Sequence, residues 1–253
     1  MCATCGCSDD GSVRVIDLRT AAHDHDHAHT HHDHTHQHGP TTVSLEERVL
    51  AKNDALAERN RGWLEARRVA AVNLMSSPGS GKTTILARTV RDLGSDIALY
   101  VVEGDQETTL DAQRIEAAGC PVVQVNTGSG CHLDASMFAE ALHALDPNGG
   151  VVLIENVGNL VCPALFDLGE NARVVIMSVT EGADKPRKYP HMFRSATLVL
   201  LNKIDLLPYV DFDVDAFHRD VALVNPKAEV QHVSATGGDG LDTWYAWLRA
   251  LSA

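Results

Sequence analysis

The stretch Ser76-Ser77-Pro78-Gly79-Ser80-Gly81-Lys82-Thr83-Thr84, SSPGSGKTT, decides the fold. Before it lies VAAVNLM (69–75), a run of small and branched apolar residues that reads as a buried strand. After it, ILARTVRDL continues as an amphipathic helix. A strand, a glycine-rich turn and a helix opening on Lys-Thr make the context a phosphate loop requires. Gly79, Ser80 and Gly81 are small enough for backbone N–H groups to curl around an anion. The helix N-terminus adds its positive dipole end. Lys82 is placed to reach the outer phosphates, Thr83 to ligate Mg²⁺, and Thr84 to complete the first turn. One departure from G-x-x-x-x-G-K-[ST] is Ser76 where the first glycine stands, which a negative φ tolerates.

Outward from this loop the same alternation recurs. IALYVV, PVVQV, GVVLIE, ARVVIMSV, ATLVLLN and AEVQHV are six further short apolar runs rich in Val, Ile and Leu. Such composition marks parallel strands buried on both faces. Helical stretches fit around 82–93, 108–118, 133–145, 212–222 and 240–251. The fold class is therefore α/β, a P-loop NTPase with a doubly wound, mainly parallel seven-stranded sheet flanked by helices. A further helix is expected from Leu45 to about Arg67, opened by a capping box of Ser44 with Glu47. We divide the chain into a tail, 1–40, and a P-loop domain with an N-terminal helix, 41–253.

The end of the sixth run, LNKID, selects the base. A carboxylate at Asp205 can accept two hydrogen bonds from guanine N1–H and its exocyclic amine, a pair adenine does not offer. Lys203 would lay its stem along the base, and Asn202 would brace the surrounding loops. SAT, with Ser234 and Ala235, follows the last strand, where a backbone N–H can meet guanine O6. GTP or GDP is the expected ligand. Asp105, after the second run, and Glu155 with Gly158, after the fourth, are the candidates for Mg²⁺ and γ-phosphate sensing. Asn159 occupies the position where a water-orienting Gln would stand, so slow turnover is expected.

The 253 residues carry 44 % apolar residues and a formal charge of −13. This acidity disfavours nucleic acid and anionic membranes as partners. No signal peptide or membrane-length apolar run is evident, and the expected location is cytoplasmic. Residues 1–40 have few large apolar groups and are expected to be disordered without metal. They hold Cys2, Cys5 and Cys7, whose thiolates suit square-planar Ni(II) with an amine donor or tetrahedral Zn(II). They also hold His23, His25, His27, His29, His31, His32, His34, His36 and His38, interleaved with Asp, a string of overlapping weak sites suited to buffering. Cys131-His132 and Cys162 are a third candidate. Adjacent ligands seldom close a site alone, but two such pairs across a two-fold axis, with Cys162, could do so. The residues leave open whether these two cysteines are ligands or small buried hydrophobes. Cys120 reads as structural.

Together NLMSSPGSGKTT, EGDQETTLDAQRI, GSGCHLDA, ENVGNLVCP, VTEGADKPRKYP and LNKIDLLPYV resemble the hydrogenase nickel-incorporation GTPases, the HypB family, from about residue 45 to the C-terminus. The resemblance implies a SIMIBI-class GTPase that forms a homodimer on binding nucleotide or metal. It implies nickel delivery to the large-subunit precursor of [NiFe]-hydrogenase with a HypA-type metallochaperone. It also implies that Cys131, His132 and Cys162 are ligands, and that Ser76 and Glu155 are family usage. The rival readings are a urease-type nickel-insertion GTPase, a nickel store with a vestigial GTPase, and a P-loop kinase, which Asn202-Lys203-x-Asp205 disfavours.

Overall fold

A computed structural model describes residues 41–105, 110–128 and 130–252. The candidate ligands in 1–40, namely Cys2, Cys5, Cys7 and the nine histidines, lie outside the described residues. By internal contacts the chain forms two units, Met1–Val49 and Leu50–Ala253. What is described of the first is helical.

The second holds all seven strands: β1 Ala70–Ser76, β2 Leu99–Asp105, β3 Val122–Asn126, β4 Val151–Glu155, β5 Ala172–Ser178, β6 Leu198–Asn202 and β7 Glu229–His232. They form one sheet in the order β3-β2-β4-β1-β5-β6-β7, parallel throughout. The seven expected strands are all present. The central strands are buried along their length, as their largely apolar sequence favours.

The helices are α1 Thr41–Ala66, α2 Lys82–Leu93, α3 Leu110–Glu116, α4 Ala135–Leu145, α5 Lys185–Lys188, α6 Pro190–Ser195, α7 Val214–Val224 and α8 Leu241–Leu251. Because strand side chains alternate, β1 sends Val72 and Leu74 to one face, where Ile85 and Leu86 of α2, Ile115 of α3 and Trp244 of α8 cover them. On the other face α1 and α4 supply Leu64, Phe138 and Leu142, while α6 and α7 supply Phe193 and Phe217.

Three expectations change. Helix α1 already begins at Thr41, so Ser44 lies inside it and is not its N-cap. The capping-box pattern is a local preference, and the extra turn overrides it. Asp105 and Glu155 are the last residues of their strands, not the first beyond them. The stretch KPRKYPHMFRS forms α5 and α6, where no element was expected; Pro186 and Pro190 stand in the first turns, where a missing N–H costs nothing.

Candidate functional site

Parallel strands aim their C-terminal ends the same way, and the switch in strand order around β1 opens a crevice there. A cavity of about 540 Å³ fills it, lined by the loop 76–84, by Glu103 and Asp105 of β2, Arg114 of α3, Glu155 to Gly158, and Lys203. Gly79 and Gly81 have φ of 77° and 96°, which side chains resist, and a methyl on Gly81 would strike the Asn202 amide. Ser76 ends β1 and is not among the described positive-φ residues, so it tolerates the glycine position. Helix α2 begins at Lys82 with no side-chain cap, leaving first-turn N–H groups at the cavity.

Glu155 holds the two residues expected to meet phosphate and metal. Thr83 Oγ1 donates to Glu155 Oε1 at 2.6 Å, and Lys82 Nζ lies 3.4 Å from the same oxygen. Ser80 Oγ is buried in the loop without a hydrogen-bond partner among the described residues. These features fit a nucleotide triphosphate with a hard cation: donors at the loop, and oxygen ligands at Thr83, Asp105 and Glu155. Glu103, 2 % exposed and paired in register with Glu155 across β2 and β4, was not anticipated, nor was Arg114. Glu103 directly follows the apolar run IALYVV and Arg114 lies on a helix without a motif of its own.

The residues proposed to read the base are tied to the phosphate loop and to one another. Asn202 Nδ2 donates to Ser80 O at 2.9 Å, and its Oδ1 accepts from Ala235 N at 3.1 Å, tying three loops together. Lys203, with φ 63°, donates from Nζ to Gly79 O at 2.7 Å. The buried Ser234 hydroxyl donates to Asp205 Oδ1 at 2.6 Å and orients it. The Ala235 N–H proposed for guanine O6 is thus engaged by Asn202 here, and the Ser234 N–H goes to Asp239 O.

A second constellation adjoins the first. The ligand atoms of Cys131, His132 and Cys162 lie within 4.8 Å of one another in a single chain. The 3-10 turn Cys162–Ala164 brings Cys162 to the adjacent pair Cys131-His132 within the same chain. Cys131 Sγ is 3.7 Å from His132 Nδ1, and the imidazole stacks on Phe166 with centroids 3.9 Å apart. Burial lowers the His132 pKa from its ordinary value, keeping the imidazole neutral and able to ligate. Two sulfurs and a nitrogen select a borderline or soft divalent ion such as Ni(II) or Zn(II). Cys120 stands apart, bonded to Leu99 O at 3.0 Å, with its thiol pushed up to about 12 by burial.

The two sites share a wall. Gly158 packs on the phosphate loop, where a methyl would lie 3.2 Å from Pro78 Cγ. Next to it, Asn159 Nδ2 donates to Cys131 O at 3.3 Å. Asn156 Oδ1 accepts from Leu133 N at 3.1 Å, and its amide donates to Asn73 Oδ1 at 3.2 Å. Asn156 and Asn73 are 1 % and 0 % exposed, and the sequence offered no signal for either.

A seven-stranded parallel sheet with a phosphate loop at its switch point and an N-K-x-D motif at the end of β6 defines a P-loop protein of the GTP-binding class. The sequence profile of the CobW/HypB/UreG nucleotide-binding domain matches residues 70–232. The hydrogenase maturation factor HypB of Escherichia coli K12 is 55 % identical over 207 residues, covering 81 % of this chain and 71 % of that protein. The crystal structure of HypB from Archaeoglobus fulgidus superposes with a TM-score of 0.76 at 40 % identity, covering 81 % of this chain and all of that one. HypB from Helicobacter pylori, solved in complex with nickel, gives 0.74 at 36 % identity over 79 % of this chain and 94 % of that one. The chain belongs to the CobW/HypB/UreG family and, within it, to the HypB hydrogenase maturation factors. Among the described residues no helix is long and apolar enough to cross a membrane.

Proposed function

We propose that the chain is a GTP-hydrolysing nickel chaperone, in which the nucleotide sets the affinity of the Cys131, His132 and Cys162 cage. The observation that carries this reading is the shared wall: the residues flanking Gly158 hold Cys131 and Leu133 by hydrogen bonds. A γ-phosphate drawing in Gly158 would pull on the loop that carries two of the three metal donors.

In this reading the 79–84 loop and Lys82 bind and orient the phosphates. Asp205, Lys203, Asn202, Ser234 and Ala235 select guanine. Thr83 and Asp105 would hold Mg²⁺, with Glu155 steering through its contacts to Lys82 and Thr83. When bound, Mg²⁺ neutralises charge on the outer phosphates. Asn159 is turned to Cys131, so no amide is committed to orienting water. Intrinsic turnover on the order of 10⁻³ s⁻¹ or slower follows, as in unassisted small GTPases.

Nickel is cargo. Cys2, Cys5, Cys7 and the histidine tract gather it, and the cage releases it as GTP binding and hydrolysis make and break a homodimer. Delivery goes with a HypA-type chaperone to the large-subunit precursor of [NiFe]-hydrogenase. Zn(II) competes wherever the donors close as a tetrahedron. GTP turnover and gel filtration with and without Ni(II) test the enzyme, the switch and the oligomer together. Turnover at tens per second, or an oligomeric state indifferent to both ligands, would contradict the reading.

A further inference from the structure

Helix α1 carries buried polar groups that nucleotide binding does not use. Asn53 and Asn60 are 4 % and 5 % exposed. Asn53 donates from Nδ2 to Asp167 O at 2.8 Å and accepts at Oδ1 from Ala135 N at 2.9 Å. The Asn60 amide donates to Ala135 O at 2.8 Å and to Leu168 O at 2.9 Å. Arg61 donates to both Asp167 oxygens, at 3.2 and 3.0 Å. Gly169 makes this approach possible: with φ 90°, a methyl there would lie 2.9 Å from Asn60 Cβ and 3.0 Å from Arg61 N.

The partners of these groups flank the metal donors. Ala135 stands three residues after His132. Asp167 and Leu168 follow Cys162 on the segment whose Phe166 stacks on His132. Each asparagine therefore spans both ligand-bearing segments at once. From the sheet side, Arg173 holds the same segment through Ala164 O at 3.3 Å and is itself held by Glu170 at 2.6 Å. A buried amide is costly unless fully bonded, and apolar packing would join two segments at less cost. What an amide bridging two chains adds is a fixed distance between them.

We infer that α1 is a clamp on the metal cage, with Asn53, Asn60 and Arg61 as positioning residues for metal affinity. This rests on the reading of Cys131, His132 and Cys162 as ligands. Asn156 and Asn159 hold the cage from the nucleotide side, and α1 is the fixed wall against which they move it. Holding the donors together before metal arrives lowers the ordering cost of binding.

The test uses the full chain carrying Cys2→Ser, Cys5→Ser and Cys7→Ser. Ni(II) is titrated against a competing chelator, and the thiolate-to-metal charge-transfer band is followed, to which imidazole-only sites do not contribute. Asn60→Asp removes both donated bonds with little change of shape. It weakens Ni(II) binding tenfold or more, on the order expected for loss of a ligand's support, and shifts the band. Arg61→Ala, at a half-exposed position, weakens binding severalfold. Guanine nucleotide affinity stays within about twofold in both, which separates the clamp from a general loss of structure. Parent-like Ni(II) affinity and spectrum in both variants would overturn the clamp. If Asn60→Asp does not fold, Arg61→Ala decides alone by the same two outcomes. A parent band left unchanged by both Cys131→Ala and Cys162→Ala overturns the ligand reading, and the clamp with it.

Discussion

At Asp205 one carboxylate oxygen is fixed by the Ser234 hydroxyl, so the acceptor pair proposed to read guanine is oriented by the protein itself. Asp205→Asn replaces an acceptor with a donor facing guanine N1–H. GTP affinity then falls roughly a hundredfold, because two buried donors on the base lose their partner; competition binding measures it. Gly81 is a second single-residue dependence. Gly81→Ala meets both an unfavourable φ and the Asn202 amide, and equilibrium dialysis with GDP is expected to find binding lost while circular dichroism keeps the helix content. These residues were legible from sequence because each belongs to a motif whose spacing is dictated by the ligand. Glu103, Asn73 and Asn156 were not. Their partners lie on other strands and loops, as Asn73 bridges Asn156 and Glu170, and nothing local announces such a pairing.

Seven parallel strands could be read from seven apolar runs because burial on both faces leaves no other composition available. The start of α1 and the existence of α5 and α6 could not, since propensity is a weak prior and tertiary contacts decide short helices. The junction of α8 with α2 is one such contact. Trp244 Nε1 donates to Thr89 Oγ1 at 2.9 Å in the core, and that hydroxyl donates in turn to Ile85 O. Thr89→Val keeps the shape and orphans the indole N–H, costing about 1–3 kcal/mol in urea denaturation. At the sheet edge, His218 of α7 and His232 of β7 meet Nε2 to Nε2 at 2.7 Å, one donating to the other. Burial first, then the neighbouring imidazole, lowers the His232 pKa below its usual 6.5. The folded state therefore resists a proton that the unfolded state accepts. This contribution is complete above pH 6.5 and is lost as pH falls below it. His232→Gln is expected to flatten the decline of melting temperature between pH 7 and 5.

Across the whole molecule, the 155–162 segment touches both the phosphate loop, through Gly158, and the candidate metal cluster, through Asn156 and Asn159, and α1 is bonded to Ala135 beyond that cluster. The sequence placed Cys162 four residues from Gly158 and so made a coupling conceivable. That Asn159 reaches Cys131 depends on β3 and β4 ending on the same side of the sheet, which only the assembled topology provides. Any such coupling is reciprocal: a nucleotide that alters metal affinity must have its own affinity altered by metal by the same factor. The most direct test is Ni(II) affinity of the full chain carrying Cys2→Ser, Cys5→Ser and Cys7→Ser, measured with Mg²⁺ and either GDP or a non-hydrolysable GTP analogue. The account predicts a difference of at least about fivefold between the two states, abolished by Asn159→Ala. Equal Ni(II) affinities in the two nucleotide states would contradict it.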